Sequence, residues 1–134
     1  MMHRYFLIEP LYTDLDTLCN FTVGSGRVRA NIQIYADEWM LAEVAKALGA
    51  AELPVEHPQY EEEGFDSFRL RISVLPSEDG QRAVRFMVYH GMCEDDAPFM
   101  ADIRFRVSLS EAEELSRDLL RWLKKKNYPL EWKP

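Results

Sequence analysis

His90-Gly91-Met92-Cys93 sets an imidazole and a thiol close together in sequence, the two groups from which a thiolate nucleophile and its base are assembled. Glu94-Asp95-Asp96 follows directly, and negative charge beside a thiol raises its pKa and opposes thiolate formation. The same acids offer oxygen ligands to a hard cation, but they lack the alternation and the glycine of an EF-hand loop and read as an acidic turn. His57 stands between Pro54 and Pro58 with Glu56 beside it, and no second histidine lies at a zinc-binding spacing. Gly24-Ser25-Gly26 is followed by neither a helix nor a Lys-Ser/Thr pair, so it reads as a hairpin turn and not a phosphate cradle. There is no Gly-x-Ser-x-Gly nucleophile elbow. The expectation is a non-enzymatic chain without metal or cofactor. The alternative from the catalytic class is a small-molecule site or weak hydrolase between the sheet and the 50–64 connection, drawing on His57, Glu61, His90 and Cys93.

The arginines carry more. Of the sixteen basic residues, eight (Arg27, Arg29, Arg69, Arg71, Arg82, Arg85, Arg104 and Arg106) fall in or beside stretches with strand character. All but Arg82, which is too near a turn to place, alternate with apolar residues and so belong to a solvent-facing side. A guanidinium presents a planar fork suited to carboxylates and phosphates, and arginine is enriched at interfaces. Tyr35, Met87 and Tyr89 are interleaved on that side and supply amphipathic contacts. The plainer reading is that a half-solvated sheet must carry polar residues anyway, with Asp102 and the acids of 61–63 and 94–96 neutralising the arginines.

These residues need a sheet to hold them. Phe68, Leu70, Ile72 and Val74 alternate with Arg69, Arg71 and Ser73 at the two-residue period of a strand with one buried face. Pro76-Ser77-Glu78-Asp79-Gly80 is turn chemistry. Val84, Phe86 and Val88, then Ala101, Ile103, Phe105 and Val107, repeat the alternation and predict a three-strand antiparallel meander. A helix over 109–126 closes it, read as beginning with a Ser110-x-x-Glu113 capping box and carrying Ala112, Leu115, Leu119, Trp122 and Leu123 on one stripe. Upstream, residues 18–23 and 27–35 flank the Gly24–Gly26 turn as a hairpin, with Val28, Ala30, Ile32 and Ile34 inward. Asp37 is the expected N-cap of a helix reaching Leu48, with Gly49 at a left-handed C-cap. Residues 4–9 read as an edge strand ended by Pro10, residues 50–64 as a long polar connection, and residues 127–132 as an extended tail whose Tyr128, Leu130 and Trp132 must dock or meet a partner. The predicted fold class is α+β: a two-layer sandwich of one antiparallel sheet of five or six strands with both helices on one face.

A chain of 134 residues fits a single domain spanning 1–134, able to bury roughly two-thirds of its unfolded surface without disulfides or metal. Its 47% apolar and 29% charged residues are ordinary for a globular protein. A formal charge of −7 argues against a nucleic-acid partner, though not against a local basic patch. No apolar run approaches the ~20 residues of a membrane span, and the N-terminal stretch is too soon interrupted for a signal peptide. Cys19 and Cys93 form no Cys-x-x-Cys pair. A cytoplasmic protein with reduced thiols and no membrane association is the expectation.

In layout, Ile32-Gln33-Ile34-Tyr35 leading into a helix over 38–48, then a meander over 68–107 closed by a helix over 109–126, resembles small bacterial α+β families such as the WapI-like immunity proteins. Some of these neutralise a toxin by binding it. The resemblance implies an acidic, cytoplasmic, non-enzymatic protein that docks on a partner, and it carries no catalytic residue over. The functional expectation is a protein-binding domain, of immunity-inhibitor type, acting through an open arginine face made of Arg27, Arg29, Arg69, Arg71, Arg85, Arg104, Arg106, Tyr35 and Tyr89. A structural homodimer that pairs sheet faces or exchanges the 128–132 tail is the remaining alternative.

Overall fold

Alternation of apolar and polar residues fixes which face of each strand is buried, but not what buries it. Here the cover for one sheet is a second sheet. The computed structural model describes residues 4–13, 17–51, 58–63, 68–90 and 99–134. In chain order the elements are β1 (Arg4–Thr13), β2 (Thr17–Ser25), β3 (Val28–Tyr35), α1 (Glu38–Gly49), β4 (Tyr60–Glu63), β5 (Phe68–Pro76), β6 (Arg82–His90), β7 (Phe99–Val107), α2 (Leu109–Leu123) and β8 (Leu130–Trp132). The class is α+β, with every strand pair antiparallel. The single sheet of five or six strands is corrected to two sheets of four, ordered β3-β2-β1-β8 and β4-β5-β6-β7.

The inward faces of the two sheets meet through aromatic rings. Phe6 of β1 lies 5.1 Å from Phe86 of β6, Phe21 of β2 lies 6.2 Å from Tyr60 of β4, and Phe105 of β7 stacks at 5.5 Å on Trp132 of β8. The helices lie against each other, α1 also touching β4 and β5 and α2 touching β7 and β8. All of these surfaces contribute to one buried core.

Periodicity alone did not find β4 or β8, and it placed β1 at an edge. β1 is not an edge strand and does not end at Pro10, for it pairs with β2 along its length and with β8 at Phe6–Ile8. Pro10 is tolerated because it lies beyond the β8 ladder, where the register shifts between Pro10 and Tyr12. β4 arises within the expected polar connection, where Tyr60 is buried in the core and Glu61 pairs with Arg71 across to β5. The tail docks on its own chain as β8, with Leu130 and Trp132 buried.

The helix ends follow local chemistry. Asp37 caps α1 by accepting a bond from the Met40 amide at 2.9 Å, as expected. Gly49 is not a left-handed C-cap, because it remains within the helix and Ala50 takes the cap position. It serves close approach instead: a Cβ on Gly49 would lie 3.2 Å from the Ser116 hydroxyl, which donates to the Ala45 carbonyl at 2.6 Å and binds the two helices together. The capping box of α2 is Ser108 with Glu111, two residues earlier than the sequence suggested. Ser-x-x-Glu occurs there in two overlapping frames, and β7 ending at Val107 selects the first.

Candidate binding surface on the outer face of the second sheet

Because Leu70, Ile72, Val74, Val84, Phe86, Val88, Ile103, Phe105 and Val107 are all buried, the residues between them on β5, β6 and β7 share the opposite face. Strand register arranges them in rows. Arg71 stands opposite Glu61 on one side and Met87 on the other, with Asp102 next. In the following rows, Ser73, Arg85 and Arg104 lie abreast, then Leu75, Ala83 and Arg106, while Arg69 pairs with Tyr89.

Part of this arginine set is neutralised internally. Arg85 grips Asp102 through two bonds of 2.9 and 2.6 Å, a bidentate fork. That hydrogen bonding holds the Asp102 carboxyl below its ordinary pKa, with the charge of Arg104 adding to the effect, and raises the pKa of Arg85. Arg71 pairs with Glu61 at 3.0 Å. The Arg69 guanidinium lies over the Tyr89 ring, 5.8 Å from its centroid. Arg104 and Arg106 differ: both are exposed, and neither guanidinium hydrogen-bonds a carboxylate among the described residues.

Those two arginines border a shallow groove of about 670 Å³, whose other lining includes Arg4, Leu75, Pro76 and Ala83. Ala83 makes the groove, since its small side chain sits between the larger Leu75 and Arg106 in the same row. Arg4 reaches in from β1, donating to the Arg106 carbonyl and pairing with Glu111 through contacts of 3.2 and 2.8 Å. Burial opposes ionisation of Glu111, but Arg4 and the Ser108 amide and hydroxyl outweigh it and lower its pKa. A second depression, of about 190 Å³, is lined by Arg69, Arg71, Met87 and Tyr89. The face therefore offers two guanidinium forks that bond no carboxylate among the described residues, apolar footing at Leu75 and Ala83, and a half-exposed tyrosine.

The structure brings together Arg69, Arg71, Arg85, Arg104, Arg106 and Tyr89 of the expected surface. Arg27, Arg29 and Tyr35 belong to the other sheet: Arg27 lies in the β2–β3 turn, Arg29 rests over Tyr5 at 5.8 Å, and Tyr35 ends β3. Glu61 is an ion-pair partner on the arginine face. His57 and Cys93 lie outside the described residues; His90 ends β6 opposite Phe68 and Phe99, with nothing further described of its side chain. Among the described residues, no group of three or more His, Cys, Asp or Glu side chains is placed to hold a metal, and no helix is long and apolar enough to cross a membrane. Cys19 is fully buried, and desolvation pushes its thiol up to about 12. Sequence reasoning missed Arg4, which reaches the groove only through packing of one sheet on the other, and the Leu75–Ala83 footing, which depends on the β5–β6 register. No family model, no curated protein and no solved structure matches this chain.

Proposed function

We propose that the chain is a protein-binding domain whose outer face on the second sheet receives an acidic surface of a partner. The observation that carries this reading is the contrast between Arg71 and Arg85, each paired with an internal carboxylate, and Arg104 and Arg106, which hydrogen-bond none among the described residues. In a chain of formal charge −7, two such guanidinium groups beside an apolar groove suit carboxylates supplied from outside. A cytoplasmic immunity-type inhibitor, masking an acidic region of a toxin, is one form this binding takes.

The test is calorimetric titration of the chain with an aspartate- and glutamate-rich peptide at several ionic strengths. Binding that weakens with salt, and that drops at least tenfold in Arg104→Glu/Arg106→Glu but persists in Arg27→Glu/Arg29→Glu, is the expected result. Equal loss in both variants, or affinity insensitive to Arg104 and Arg106, would overturn the assignment.

A further inference from the structure

Two four-stranded sheets present four edge strands, and an unpaired edge is a template for another strand unless something guards it. Three are guarded. β8 has only three residues. β4 has four, three of them glutamates. On β7, the Arg106 carbonyl is taken by the Arg4 side chain, and Arg104 and Arg106 add outward charge.

β3 is less protected: its one charge, Arg29, lies over Tyr5 of its own sheet. It is eight residues long, contains no proline, lysine or acid, and runs against β2 from Ser25↔Val28 to Leu18↔Tyr35 without a register shift. Among the described strands it pairs with β2 alone. Every second residue of β3 therefore turns its amide and carbonyl toward the open edge.

We infer that β3 is the edge through which two copies of this chain pair, antiparallel about a twofold axis, to form a continuous eight-stranded sheet. The sequence of β3 is complementary to its own reverse. With the axis at Ile32, Asn31 stands opposite the second copy's Gln33, amide against amide, and Arg29 opposite Tyr35. Ala30 falls opposite Ile34, small against large. No like charges meet along the strand. Exposed apolar surface agrees with this arrangement: Val28, expected inward but 54% exposed because it sits at the strand's first position beside the turn, begins β3, and Trp39, 77% exposed, follows its other end on the first turn of α1. Antiparallel pairing brings the Val28 end of one copy to the Trp39 end of the other. No residue of the proposed acid-binding face takes part, so the inference stands independently of that function.

Sedimentation equilibrium of the full chain over rising concentration tests it. The expected species is twice 15.7 kDa. Asn31→Lys/Gln33→Lys sets lysine against lysine at both central amide pairs and is expected to weaken association at least tenfold. Asn31→Glu/Gln33→Lys sets opposite charges face to face in the same register and is expected to restore it. Both variants lose the same Asn31 bond to Thr22, so that loss cancels between them. A wild-type chain that stays monomeric throughout overturns the inference, and so does a Lys/Lys variant that dimerises like wild type.

Discussion

The Arg85–Asp102 pair gives the arginine face its pH sensitivity. Asp102 has a folded pKa below its ordinary 3.8, so its contribution to stability is present above that value and is lost as pH falls through the lower folded value. Its side chain is 31% exposed, so screening keeps the contribution small. Thermal melts between pH 5 and 2 should show the wild-type midpoint falling more steeply than that of Asp102→Asn; parallel curves would contradict the pairing. Cys19 runs the other way, since burial raises its thiol from 9.0 to about 12. Its stabilising effect is full below 9.0 and lost as pH rises toward the folded value. At pH 8 the native chain should resist alkylation at Cys19, located by peptide mass spectrometry, until denaturant is added. Gly24 tests a close approach: a Cβ there would fall 2.3 Å from the Tyr5 ring, which lies across it and beneath Arg29. Gly24→Ala should cost about 1 kcal/mol in denaturant unfolding, and little in a Tyr5→Ala background.

Among the elements, α2 was the most legible in sequence, because its stripe and its capping chemistry are local. Only the frame of the cap was ambiguous, and mutation separates the two frames. Ser108→Ala should destabilise the chain by about 1 kcal/mol, whereas Ser110→Ala should cost far less. The β5–β6–β7 meander was equally readable, since each strand alternates and its neighbours follow in order. β4 was hidden, because a run of three glutamates becomes a strand only when Tyr60 enters the core and Arg71 stands opposite Glu61. β8 was visible only as a tail whose Tyr128, Leu130 and Trp132 needed cover, but its partner β1 lies more than a hundred residues away and no local signal names it. Trp132→Ala removes the ring stacked on Phe105 and should cost about 3–5 kcal/mol.

At the scale of the whole molecule, the arginine face was half legible. Periodicity assigned each arginine to an outward position, but two sheets divide the set, leaving Arg27 and Arg29 apart from Arg69, Arg71, Arg85, Arg104 and Arg106. Which arginines are satisfied depends on cross-strand register, and the groove beside Arg104 and Arg106 needs Arg4 from the opposite sheet. Under the two proposals, one sheet would offer a charged face to an acidic partner and the other an edge strand to a second copy. The most direct measurement is amide chemical-shift mapping of the isotopically labelled chain during titration with the acidic peptide. The account predicts that shifts concentrate at Leu75, Ala83, Arg104 and Arg106. Shifts confined to the first sheet or to α1, with those four unmoved, would contradict it.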